Sequence, residues 1–270
     1  MSDFGNNQSS GGAMFFSVRM GTDDQKRPKA FMATVVPKGT QGAIQAFNKD
    51  GTPAIIKKTG AEKWHLHYDY IEGRLASIEN KTIINSKGKE VHFVNFTVHG
   101  NSTKMVLSLE KGDRYWVDLM KRLLNVELEI PIRFQPYSIT DKASGKTNNL
   151  MMLVQGGKNI DMMWNAANKW GNDEEGNGGL PSGIQVEDPT SGDMVWSFLK
   201  RDRWLDAQVQ TPIKAQLEAM AQNNEIPLPA AGQVEVEEPQ HVEQVDNGPD
   251  GYTGAGSLDL NDEDEDQLPF

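Results

Sequence analysis

The 270-residue chain has no cysteine. That excludes disulfides and cysteine-based zinc sites, and it leaves the redox compartment undecided. No apolar run approaches the roughly 18 residues that a membrane span needs. The first residues, SDFGNNQSSGG, contain neither a basic n-region nor an apolar h-region, so no secretory signal is expected and a soluble cytoplasmic protein is the prediction. Basic residues are missing from one long stretch: Glu225–Phe270 holds 13 acids and no Lys or Arg. No internal repeat is visible.

Catalytic motifs are equally scarce. Ser144-Gly145-Lys146-Thr147 contains the Gly-Lys-Thr of a phosphate-binding Walker loop. Such a loop requires a glycine five residues before Gly145, where this chain has Thr140, and it should open a helix rather than turn a hairpin. Asp173-Glu174-Glu175 lacks the spacing of a calcium loop. No Ser/His/Asp set or carboxylate pair stands out, so no enzymatic activity and no cofactor are expected.

The net charge of −11 hides an uneven distribution. The residues before Glu225 carry 27 basic and 25 acidic side chains, and residues 1–150 carry 21 basic against 15 acidic. Charges beyond a Debye length, about 8 Å at physiological salt, are largely screened. A local basic groove is therefore compatible with an acidic chain.

The sequence divides into three parts. Residues 1–12 are polar and Gly/Ser-rich and predict a flexible arm. Residues 13–224 form the body. Residues 225–270 are Pro-, Glu- and Gly-rich and predict a disordered acidic tail. In the body, Met14–Met20 and Phe31–Val36 read as strands, and Gly42–Phe47 and Ala54–Ile56 flank a hairpin signal at Asp50-Gly51. The core of the body, about 64–159, is the most legible. Trp64–Ile78 predicts a long strand interrupted at Gly73, and Val91–Val98 and Met105–Leu109 alternate as strands. Asp113 is the expected N-cap of a helix whose Trp116, Leu119, Met120 and Leu123 share one face. Val126–Tyr137 and Leu150–Val154 complete the block. A helix over Met194–Ala207 and another starting at Thr211-Pro212 are expected after it.

Three strands, one helix and two strands in about 95 residues is the order of an OB-fold, the five-stranded Greek-key barrel that often binds oligonucleotides. The fold class is thus expected to be mainly β: an OB-fold barrel with additional N-terminal strands and C-terminal helices. Strand alternation sends Val94, Phe96 and Val98, and Val126, Leu128, Ile130, Ile132 and Phe134, to the barrel interior. It turns Phe93, Arg133 and Tyr137 outward, with Lys87, Lys89, Lys142 and Lys146 in adjoining turns. Aromatic faces that stack on bases and cations that track phosphates are what a single-strand site requires. Lys57, Lys58 and Lys63, before the first barrel strand, and Trp64 at its start are candidates to extend it. His65, His67 and Asp69 share one strand face, one way to gather metal ligands. Without cysteine they are read instead as sheet-surface residues facing bound DNA, and no metal is expected.

The tail ends in Asp262-Glu263-Asp264-Glu265-Asp266, a spacer Gln267, and Leu268-Pro269-Phe270. Acids ending in a small apolar tip fit a partner with a basic rim and a hydrophobic pocket. These ten residues resemble the C-terminal tail of bacterial single-stranded DNA-binding proteins, in which an acidic stretch precedes an aliphatic residue, Pro and Phe. Gln267 departs from that pattern. Phage single-stranded DNA-binding proteins also carry acidic tails, and the body lacks a visible match to the bacterial ones, so a divergent phage-type member acting in an infected bacterial cell is the implied source. The resemblance implies roles in replication, recombination and repair: covering single-stranded DNA and recruiting polymerase, primase or helicase through the tail. An acidic-tailed protein-binding module, such as a chaperone for basic proteins, is the alternative. RNA is an alternative ligand, and a homo-oligomer is compatible with the sequence.

Overall fold

The computed structural model describes residues 13–22, 25–48, 51–56, 59–84, 88–101, 103–141, 145–163, 179–188 and 192–223. The predicted arm and tail lie outside the described residues. The chain forms β1 (Met14–Thr22), β2 (Pro28–Val36), β3 (Ile44–Gln45), β4 (Trp64–Tyr68), β5 (Ile71–Ile84), β6 (Glu90–His99) and β7 (Lys104–Glu110). Then follow α1 (Arg114–Leu123), β8 (Ile132–Thr140), β9 (Thr147–Gln155), β10 (Lys158–Asn159), β11 (Ile184–Glu187) and β12 (Met194–Ser197). The last elements are α2 (Leu199–Leu205) and α3 (Thr211–Gln222), joined by a π turn over Asp206–Gln210.

Ten strands make one sheet in the order β10-β9-β8-β5-β6-β7-β1-β2-β4-β3, and β11 and β12 form a separate hairpin. The run β8-β5-β6-β7 is a Greek key: three hairpin-linked strands, with the fourth returning through α1 to lie beside the first. Gly73 makes this possible. Up to Gly73, β5 pairs with β8, and from Arg74 it pairs with β6. A Cβ on residue 73 would lie 2.4 Å from the His99 carbonyl oxygen, so only glycine fits this crossing.

The sheet is open and mixed, not the closed barrel expected from the sequence. Both edges that would have to meet are taken. β7 pairs in parallel with β1 through Phe16 and Leu107. On β9, α1 side chains occupy the backbone of Met151: its N–H donates to Asp118 Oδ2 at 3.3 Å, and Arg122 Nε donates to its carbonyl at 3.1 Å. The sheet still curls, bringing Cα atoms of β2 and β8 within 8 Å with no ladder between them.

The core fills that curl. Val94, Phe96 and Val98 are fully buried in it, as expected, together with Trp116, Leu119, Met120 and Leu123 of α1. Asp113 caps the helix and accepts the Trp116 N–H at 2.6 Å. Leu205, Val209, Ile213 and Leu217 from the C-terminal helical segment complete the core.

Five local expectations change. Trp64–Ile78 is two strands, broken at Asp69-Tyr70 rather than at Gly73. The strand expected from Val126 begins only at Ile132, after Pro131. The Gln155 side chain bonds the Glu127 N–H and the Glu127 and Ile130 carbonyls, so this segment turns and leaves Ile130 exposed. Met194–Ser197, expected as helix, is a strand paired with β11. Thr211 is not a cap: its N–H bonds Asp206 O, five residues back, and the helix continues through the π turn. Ala54 and Ile56 are buried, but 51–56 makes isolated bridges rather than a strand.

Candidate functional site

The register of the ladders assigns every strand residue to the core face or to the opposite, outward face. Phe93 is outward and half-buried on β6, between Lys81 of β5 and Glu110 of β7. Lys89 stands exposed just before β6. Arg133 and Tyr137 are outward on β8, with Tyr137 opposite Leu150 and Lys146 entering β9. Arg133 Nε donates to Glu72 Oε2 at 2.7 Å, and its guanidinium lies 3.9 Å from the centre of the Tyr70 ring. Trp64 shares its face with Leu66 and Tyr68, not with the outward set, and Lys38 Nζ lies 5.9 Å from its ring. Lys57, Lys58, Lys87, Lys142 and the tail residues 262–270 lie outside the described residues.

These candidates form separate groups. On β5, Phe93 is level with Lys81 and Arg133 with Glu72. Nine residues of strand at ~3.3 Å each put the two up to about 30 Å apart. What lies beyond Phe93 is the outward face of β6 and β7, where Ser108 Oγ donates to Asn95 Oδ1 at 2.8 Å. The parallel β7–β1 ladder carries that face onward, to Phe15, Ser17 and Arg19 of β1, then Phe31 and Ala33 of β2, then His65 and His67 of β4.

The far part of this face is a tight cluster. The Phe31 and His67 rings stack with centres 3.9 Å apart, and His65 lies 6.4 Å from His67. Gly21 leaves room for Phe31: a Cβ there would sit 2.7 Å from its ring. Burial, followed by the nearby Arg19 charge, depresses His65 to about 3 and His67 to about 4, so both imidazoles are neutral at pH 7. Asp69, the third member of the sequence triad, is drawn to Lys29 at 2.8 Å. Among the described residues no three His, Asp or Glu side chains are gathered as metal ligands.

Arg19 sits half-buried in the middle of the cluster. Burial lowers its pKa, and its Nε has no hydrogen-bond partner among the described residues. Removing water from a guanidinium without supplying a counter-charge is unfavourable. Sequence reading found His65 and His67 on one face but missed Arg19 and Phe31. The available signal was strand parity in Met14–Met20, where Phe16 and Val18 turn to the core and Ser17 and Arg19 turn away.

No family model, curated protein or solved structure was found to match the chain. The functional reading therefore rests on its own residues. Chemically, the outward face combines flat rings, neutral imidazoles, an amide–hydroxyl pair and a guanidinium lacking a carboxylate. Phe31, His65 and Ser108 of this set are buried, and Phe93, Asn95 and His67 are half-buried. No helix among the described residues is long and apolar enough to cross a membrane.

Proposed function

We propose that the chain binds single-stranded DNA without strong sequence preference, covers it during replication, recombination and repair, and recruits replication proteins through its acidic tail. The observation that carries this reading is the Greek key β8-β5-β6-β7 with Phe93, Asn95 and Ser108 on the outward face of its second and third strands. In an OB-fold that face is the oligonucleotide platform. On this reading β5–β9 and α1 are a divergent OB-fold, opened where β1 takes the second edge of β7. The tail supports it independently: 13 acids lead to Leu268-Pro269-Phe270, a tip suited to a basic, apolar pocket on a partner.

Fluorescence titration of labelled poly(dT) at two salt concentrations tests this reading. Binding should weaken with salt, with a log–log slope of about −0.7 per neutralised phosphate. Duplex DNA bound as tightly as oligo(dT) would argue against it. Deleting Phe270 should leave DNA affinity nearly unchanged and abolish capture of replication proteins.

A further inference from the structure

We infer that Arg19, flanked by His65, His67 and Phe31, is a phosphate subsite that holds one backbone phosphate and lays the adjoining base against the Phe31–His67 stack. This rests on the single-stranded DNA reading for the source of the phosphate, but the chemistry of the subsite is argued from the side chains alone.

A guanidinium stays charged in any protein environment and presents its donors in a planar fork suited to phosphate. Four other arginines have spent theirs. Arg133 is paired with Glu72, Arg201 with Asp202, Arg114 with Asn148, and Arg122 with two backbone carbonyls. Among the described residues Arg19 makes no comparable contact, and its Nε is sealed from water. The charges that act on the two histidines are those of Arg19, Lys29 and Lys63, all positive. The one acid beside them in sequence, Asp69, is held by Lys29. The neutral imidazoles add hydrogen-bonding nitrogens without adding repulsion. Phe31 is buried and stacks on the half-buried His67 ring, so a base would meet an imidazole already held in place and order little else. A single phosphate would thus meet a preformed donor set, and a ring stack stands beside it for the base.

The test compares the full chain with Arg19→Gln in three measurements: oligo(dT) affinity against salt, thermal stability, and NMR of the His65 and His67 ring nitrogens during titration with inorganic tripolyphosphate. A charge-assisted phosphate contact predicts about 10-fold weaker oligo(dT) binding at low salt and a salt slope shallower by about 0.7. Thermal stability should be unchanged or higher, because an uncompensated charge has been removed; a structural arginine would show the reverse. Tripolyphosphate should shift the His67 resonances in the parent chain and not in the variant. If oligo(dT) binds both proteins equally, with the same slope, the subsite is wrong and the DNA reading stands. If the parent chain binds no oligo(dT) but tripolyphosphate shifts His67 in an Arg19-dependent way, the subsite stands and the DNA reading falls. If neither ligand responds to Arg19, the subsite falls. Arg19→Lys, which keeps the charge but loses the fork, should recover the salt slope and only part of the affinity; full loss with Lys would mark a packing role and overturn the proposal.

Discussion

Two arginines, Arg122 on α1 and Arg19 on β1, show how differently this molecule uses charge removed from water. Arg122 is buried, yet its Nε donates to Met151 O at 3.1 Å and its guanidinium reaches Ile160 O at 3.4 Å. One turn away, buried Asp118 accepts the Met151 N–H. Together they close the backbone edge of β9, and they do so with side chains where a barrel would use a strand. Arg19 lies on the opposite side of the sheet and has none of this. Arg122 and Asp118 are consumed by the fold. The outward one is left over, and a leftover buried charge is a better pointer to a ligand than a satisfied one.

The comparison breaks first at Arg122. Arg122→Ala removes the charged donor on Met151 O and Ile160 O and one of three cations, beside Lys121 and Arg114, that act on buried Asp118, which should cost roughly 3 kcal/mol of stability. A urea melt measures it, and oligo(dT) affinity of the folded protein should not change. A loss below about 1 kcal/mol would mean that the edge of β9 does not depend on α1. The next effect belongs to the same structural region. Gly73→Ala pushes a methyl onto the His99 backbone at 2.4 Å, and the strand crossing should lose roughly 1–3 kcal/mol. An unchanged melt would show that β5 can shift at its partner switch.

The helix-side region was mostly legible in the sequence because its signals are local. The Asp113 cap, the Trp116–Leu123 face and the Val94–Val98 alternation each sit within a dozen residues, and each recurs in the structure. The outward cluster was less legible. It is assembled by the parallel pairing of β1 with β7, which joins Phe16 to Leu107 across about ninety residues of chain, and no local pattern announces such a partner. Barrel closure was illegible for the same reason: the edge occupancy that decides it is set by β1 and by two α1 side chains. Val195 and Trp196 could sit on a helix or a strand by periodicity, and the pairing with Ile184–Glu187 decided for strand. Phe93 was placed correctly on the outward face, but its distance from Arg133 along β5 was invisible without the register.

The outward face predicts the opposite separation of stability from binding. Phe93→Ala should weaken oligo(dT) binding by roughly 1–3 kcal/mol if a base stacks there. The urea melt should move little, because Phe93 is only half-buried and lies outside the core cluster. A variant that melts early and binds normally would move Phe93 into the structural class and narrow the DNA face to β7, β1, β2 and β4.

The smallest effect sharpens the comparison from inside the structural region, where one charge is not fully compensated. Asp113 accepts the Trp116 N–H, yet burial raises its carboxyl to about 7, with Glu110 and Asp118 adding to the rise and the Trp116 bond opposing it. Folded chains keep this proton up to about pH 7, whereas unfolded chains release it near the usual carboxylate value, about 4. The contribution to stability is therefore complete below about pH 4 and is lost as pH rises through about 7. His65 and His67 act the other way: their depressed values favour the fold above about pH 6.5, and that contribution is lost as pH falls toward 4 and 3. The two trends overlap, so the wild-type profile alone will not separate them. Asp113→Asn will, because Asn caps a helix as well as Asp does and has no proton to release. Its stability minus that of the wild type should be near zero or negative at pH 4 and rise through pH 7. By pH 8 the gain should be on the order of 1 kcal/mol, since solvent around a half-buried cap screens much of the penalty. A difference that stays flat across that range would show that Asp113 is ionised in the folded protein, as well compensated as Arg122, and would leave Arg19 as the clearer case of a charge the fold does not satisfy.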